Sequence, residues 1–175
     1  MTLDLHFRHV AVGLEEGSDE GSEGDTEDGA KNRDGALLLV AMTDEMRELY
    51  DGLDLNAPDM PQAGARELGP PGGTYLVGYD ADGRAVCGGG VKRLPDGACE
   101  IKRMYVVPSA RGQGVARVLL AALEDAAREL GYRICRLDTG PRQGHAQKMY
   151  EAQGYRPIAN FNGNPVATFF GEKRL

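Results

Sequence analysis

The stretch "RMYVVPSARGQGVARVLLAAL", residues 103–123, decides how the chain is read. It opens with an apolar, β-branched run that Pro108 stops, turns at two glycines, and from Val115 carries apolar residues at helical spacing. A strand feeding directly into a helix leaves the helix's first backbone N–H groups without intrahelical partners at the end of a sheet. Those groups, with the partial positive charge of the helix terminus, suit a phosphate. Gly112 and Gly114 let such a ligand approach the backbone with no Cβ in the way, and Arg111 either adds charge or anchors the loop. By themselves two glycines say no more than a convenient strand-to-helix turn. The two common nucleotide patterns do not fit: G-x-x-x-x-G-K-[ST] is absent, and Arg117 stands where the dinucleotide fingerprint needs its third glycine. What is present is Arg111-x-x-Gly114-x-Ala116.

Outward from this joint the chain alternates between strand and helix patterns. "CEIKRMYVV" is a strand, preceded by "TYLVGYDADGRAVCGGGVKRL", two strands joined at Asp82-Gly83. Residues 113–130 form a helix with Val115, Leu119, Ala122, Leu123, Ala126 and Leu130 on one stripe, capped by Gly131. "YRICRLDT" is the next strand, Gln143 to Gln153 a helix, and Tyr155–Ile158 and Val166–Lys173 the last strands. At the N-terminus "LDLHFRHVAV" alternates as a strand, Leu37–Tyr50 reads as an amphipathic helix, and Pro58–Leu68 as a short second one. The expected fold class is α/β (α+β): one mixed central sheet of about six to seven strands flanked by about four helices.

A chain of 175 residues, 41% apolar, suits one domain spanning residues 1–175. No apolar run reaches the roughly 20 residues of a membrane helix, and "MTLDLHFRHV" lacks a secretory pattern, so the expected location is the cytoplasm. Residues 13–35 hold nine acidic and two basic residues and account for the whole net charge of −7. The remainder is neutral and offers no basic surplus for nucleic acid. Rich in Gly, Ser, Glu and Asp, segment 13–35 is expected to be a disordered acidic insertion. Cys87, Cys99 and Cys135 fit no metal or redox spacing and are expected to be inert and buried. No metal site is expected.

The run "EIKRMYVVPSARGQGVARVLLAALEDAARELGY", with "AQKMYEAQGYRPI" downstream, resembles the GNAT superfamily of acyl-CoA-dependent N-acetyltransferases. The first carries a pyrophosphate loop of the form Arg/Gln-x-x-Gly-x-Gly/Ala, the second a helical tyrosine followed by a glycine-aromatic pair. The resemblance covers residues 74–175 well and the N-terminal helices by pattern only. It implies central strands that splay beside a bulge in the strand holding Met104 to Val107, with acetyl-CoA as acyl donor in the gap. The pantetheine arm would pair with backbone of Tyr105, Val106 and Val107. The pyrophosphate would reach the N–H groups of Arg111, Gly112, Gln113, Gly114, Val115 and Ala116, and an N–H near Val106 would polarise the thioester carbonyl.

The same resemblance assigns chemistry to side chains. Tyr150 takes the place of the general acid, since a phenol stays protonated at neutral pH and can donate to a departing thiolate. Glu100 is the candidate base, acting directly or through water; period-two alternation places it on the same face as Met104. Where many relatives carry an asparagine after the strand ending "RLDTG", Gln143 stands as its replacement toward the cofactor, while His145 is read as a solvated loop residue. The acceptor would enter opposite the cofactor, walled by residues 42–60 and 160–165. The expected activity is acetyl transfer to a primary amine of a small molecule or amino acid by direct attack in a ternary complex. An acyl-CoA-binding regulator without turnover and a transferase acting on protein amines are the alternatives. From the charge balance and the lack of a long apolar run, no nucleic-acid or membrane partner is expected, and a homodimer is an expected possibility.

Overall fold

The computed structural model describes residues 4–13 and 27–175. Seven strands form one sheet: β1 (His6–Val10), β2 (Thr74–Tyr79), β3 (Ala85–Arg93), β4 (Cys99–Val106), β5 (Ile134–Thr139), β6 (Arg156–Pro157) and β7 (Phe169–Arg174). Their order is β1-β2-β3-β4-β5-β7-β6. Only β4 and β5 run parallel; every other pair is antiparallel. The described residues contain three α-helices, α1 (Glu27–Leu49), α2 (Val115–Glu129) and α3 (Gly144–Ala152).

Two apolar clusters lie on opposite faces of the sheet. On one, α2 buries Val115, Leu119, Leu120 and Leu123 against Cys87, Val91, Cys99 and Ile101, joined by Tyr150 from α3. Each fully buried leucine there contributes roughly 2 kcal/mol of transfer free energy. The predicted stripe of α2 holds except at its end, where Leu130, the C-terminal cap residue, is exposed. On the other face α1 lays Leu38 and Met42 over Val10, Tyr75, Val77 and Tyr105. Cys87, Cys99 and Cys135 are free thiols, all buried.

Two N-terminal expectations are corrected. Residues 27–35, assigned to a disordered insertion, are the opening turns of α1. Charge composition suggests disorder, but here the charges sit where a helix uses them. Glu27 and Asp28 lie in the first turn and Lys31 pairs with Glu27 at 2.5 Å. Asn32 accepts a hydrogen bond from the backbone N–H of Ala11. Gly35 is needed for contact, because a Cβ there would stand 2.7 Å from the Val10 side chain. The rest of that expected insertion, residues 14–26, lies outside the described residues. The second correction concerns residues 58–68, which form turns and no helix. Pro58 and Pro61 cannot donate, and side chains satisfy the carbonyls instead: Gln62 bonds Ala57 and Met60, Lys92 bonds Gln62, and Arg103 bonds Leu55 and Ala63.

Candidate active site

The sheet is pinned and then opened at its centre. β4 and β5 share only two ladder pairs, Cys99↔Cys135 and Glu100↔Arg136, after which the strands separate. The pairing of β3 with β4 shifts between Gly88↔Tyr105 and Gly90↔Lys102, so two residues of β4, Arg103 and Met104, oppose one on β3. Arg103 takes a left-handed φ of 58° at this bulge. In the opening lies a cavity of about 270 Å³ bordered by residues 101–106 of β4 and by Asp138 and Thr139 of β5. Met42, Glu45, Met46 and Tyr50 of α1 close it on one side, Leu53, Leu55 and Met60 on another, and Asn164, Val166 and Ala167 on a third. Both stretches expected to wall an acceptor, 42–60 and 160–165, thus contribute lining residues.

The β4 backbone divides its hydrogen bonds between the two sides. Val107 donates its N–H to Val86 O, across to β3. Successive residues of an antiparallel ladder point their N–H and C=O groups in opposite directions, so those of Val106 face the gap. Arg111 Nε donates to the carbonyl of Val106 at 2.9 Å, and Arg111 Nη2 bonds Glu45 at 2.6 Å with the guanidinium over the Tyr105 ring. Of the two roles considered for Arg111, anchoring is the one the contacts support. Of the three expected pantetheine contacts, Val106 is the one whose N–H faces the opening, while Val107 is turned to β3.

The glycine turn sits at the N-terminus of α2. Gly112 and Gly114 have φ of 75° and 81°, and Gly114 is the N-terminal cap residue with no side-chain cap bond. Among the described residues, the N–H groups of Gly112, Gln113, Gly114, Val115 and Ala116 donate to no backbone carbonyl. Open space lies where a Cβ would stand on either glycine. The glycines are required by their backbone conformation, and they leave open the space before these N–H groups.

Tyr150 lies at the other side of the gap. It is buried, packs edge-on against Tyr155, and its hydroxyl points at Met104 Sδ, 3.7 Å away at the bulge. Burial, then the negative charge of Asp138, pushes its phenol well above the ordinary tyrosine value, so it stays protonated. Gln143 precedes α3 and lines the cavity, with Thr139 Oγ1 donating to its Oε1 at 3.3 Å. His145 is exposed.

Glu100 does not sit where alternation put it. The bulge reverses the facing of β4 between Glu100 and Met104: Met104 packs on the α2 side, while Glu100 lies with Lys92 and Lys102 on the α1 side. Glu100 is fully buried and borders no part of the cavity. Lys102 Nζ lies 3.0 Å from its Oε1 and Lys92 Nζ 3.6 Å from its Oε2, and Asn162 Nδ2 donates to Oε1 at 2.7 Å. Of the two strand carboxylates, Asp138 is the one that reaches the cavity. Lys102 binds it at 2.8 Å, and Asn162 and Asn164 donate to its Oδ2 at 2.7 and 2.9 Å. Burial works to raise Asp138, yet Lys102 and the two asparagines hold it below the ordinary aspartate value.

The polar set of Lys102, Arg103, Asp138, Asn162 and Asn164 was not singled out from sequence. Its signals were faint: two consecutive cations inside a strand, an acid at a strand end, and the asparagines of "NFNGNP". Among the described residues no group of His, Cys, Asp and Glu is arranged to hold a metal, and no helix is long and apolar enough to cross a membrane.

Residues 39–155 match the model of the acetyltransferase (GNAT) family. The chain is 32% identical over 134 residues to an IAA acetyltransferase of Azospirillum brasilense, covering 75% of this chain and 78% of that protein. It is 35% identical over 91 residues to the uncharacterized N-acetyltransferase YjgM of Escherichia coli K12, covering half of this chain and 54% of that protein. Among solved structures, an acyl-CoA N-acyltransferase fold from Klebsiella pneumoniae superposes with a TM-score of 0.65 at 27% identity, over 98% of this chain and 97% of that one. The PaiA N-acetyltransferase of Thermoplasma acidophilum, solved with coenzyme A, shares the fold: TM-score 0.63 at 13% identity, over 99% and 100% of the two chains.

Proposed function

The chain belongs to the acetyltransferase (GNAT) family of acyltransferases, and from that premise we propose that it moves an acetyl group from acetyl-CoA to the primary amine of a small molecule or amino acid. One observation carries this: a backbone N–H facing the gap at Val106 and a protonated phenol at Tyr150, whose hydroxyl points at Met104 of the bulge, border the same cavity. A thioester between them meets a hydrogen-bond donor for its carbonyl and a proton for its sulfur. The open N–H groups of residues 112–116 take the pyrophosphate, and Gln143 borders the donor's path from β5 and α3.

The neutral amine attacks the carbonyl carbon. The C–N bond forms, the C–S bond breaks, and the sulfur leaves with the phenolic proton of Tyr150. Glu100, sealed behind Lys102, acts as a positioning residue for the Lys102–Asp138 pair, and the proton that the amine gives up passes through water in the cavity back to the Tyr150 phenolate, restoring the phenol. The test is thiol release from acetyl-CoA against a panel of small amines, amino acids and peptides. Release with small amines supports the reading. Release with peptides alone favours transfer to protein amines, and tight acetyl-CoA binding with no release from any amine makes the chain a binding protein.

A further inference from the structure

The charges that border the cavity pair off, with one exception. Arg111 is held by Glu45 at 2.6 Å. Lys102 is held by Asp138 and Glu100, and Asp138 is filled further by two asparagine amides. Arg103 has no such partner: among the described residues no carboxylate stands within ion-pairing distance of it. Its guanidinium donates only to neutral acceptors, at the long distances of 3.2 Å to Leu55 O, 3.5 Å to Ala63 O and 3.4 Å to Asn56 Oδ1. A guanidinium carries five N–H donors, so donors remain after these contacts, and none of them is met by an ion pair.

The strand geometry aims this charge. In a regular strand Lys102 and Arg103 would face opposite sides of the sheet. The bulge and the left-handed backbone of Arg103 bring both to the side of the α1 face, where the wall formed by residues 53–63 lies. Asp138, Tyr75, Glu100 and Asp54 are the titratable groups near enough to act on it, and burial acts against its charge more strongly than they support it. A half-buried cation of this kind, bordering the cavity on the side away from the glycine turn, is a receptor for an oxyanion.

We infer that Arg103 binds an anionic group of the acceptor, so that the amine acetylated here carries a carboxylate or comparable oxyanion. This rests on the acetyl-transfer reading above. The amine end reaches Tyr150 and the gap while the oxyanion end forks onto the guanidinium beneath Leu55 and Ala63. Plain alkylamines and carboxamides leave the charge unmet and are poor acceptors.

The test uses matched pairs with the full chain and acetyl-CoA: each amino acid against its carboxamide, and each aminoalkylphosphonate against the alkylamine of equal length. The unmodified protein should favour the anionic member by at least roughly ten-fold in kcat/KM, with the difference carried by KM. Arg103→Gln should bring that ratio to within about two-fold, and Arg103→Lys should keep part of it. Melting temperatures of both variants report whether the loop tie alone has been lost. A protein that treats the two members alike overturns the inference, as does an Arg103→Gln variant with an unchanged ratio, whatever its melting temperature. If no amine releases thiol, the transfer reading fails on its own. The same pairs are then titrated calorimetrically into the CoA-loaded protein, where tighter binding of the anionic member supports the inference and equal binding overturns it. Preference confined to phosphonates or to carboxylates identifies which oxyanion fits.

Discussion

The two halves of the central cavity are built from different materials. On the side of the glycine turn the cavity presents backbone, the N–H of Val106, and beyond it, past the cavity's own lining, stand the free N–H groups of residues 112–116 and two glycines whose positive φ leaves room before them. The opposite half presents side chains drawn from separate parts of the chain, with Arg103, Asp138 and Asn164 among them. Backbone serves any sequence that keeps the turn, and so suits a ligand common to a whole family. Side chains change freely, and so suit a partner peculiar to one protein.

The largest effect should come where the halves meet. Tyr150→Phe removes one hydroxyl and keeps the ring against Tyr155; turnover in the thiol-release assay should fall by roughly 10²-fold or more. Acetyl-CoA affinity by calorimetry should change little. Equal turnover would leave the phenol as packing only.

Next comes the backbone half. Any side chain at Gly114 meets a φ of 81°, so a single substitution confounds strain with charge. Asp and Asn tolerate this conformation similarly. Gly114→Asp should bind acetyl-CoA about ten-fold more weakly than Gly114→Asn, because only the first sets a carboxylate before the pyrophosphate. Equal affinities would move the pyrophosphate elsewhere.

Glu100→Gln sharpens the other half. It leaves Lys92 and Lys102 short of a buried partner, so the melting temperature should drop by several degrees. Turnover should stay within roughly three-fold at a temperature where the variant is folded. A loss as deep as that of Tyr150→Phe would make Glu100 the base after all.

The smallest effect is a pH dependence. Asp138 has a folded-state pKa below its unfolded value, so its stabilising contribution is complete above the ordinary aspartate pKa of about 3.9 and is lost as pH falls through the depressed folded value. Acid unfolding followed by circular dichroism should therefore show a shallower loss below about pH 4 in Asp138→Asn than in the unmodified protein. Identical acid limbs would mean that the pairing contributes nothing to folding.

The same contrast explains what the sequence made legible. Strands β2 to β5, helix α2 and the glycine turn follow from periodicity and from residues with special φ, which are local properties. The facing of Glu100 does not, because a single extra residue at Arg103–Met104 inverts every later side chain and only the partner strand reveals it. The Asp138 network was hidden for a related reason: Lys102, Asp138, Asn162 and Asn164 come together only when β4, β5 and the loop before β7 do. The opening turns of α1 are hidden in composition, which carries no position. Glu27, Lys31 and Gly35 look like disorder as a list, and like a helix once their spacing and the contact with Val10 are known.

The two-rung pairing of β4 with β5 has a consequence for how the free protein behaves in time. Beyond Glu100 the inner edge of β4 runs along the cavity, and the N–H of Val106 is exchangeable with solvent deuterium whenever water enters. Under the proposed reading, acetyl-CoA laid along that edge would close it as a borrowed strand. Protection of the Val106 amide should then rise with donor concentration, and the unfolding free energy should rise by mass action, by about 2.7 kcal/mol at a hundred-fold excess over Kd, with a higher melting temperature. Such a protein would have no single stability: its resistance to unfolding would track the supply of acyl donor.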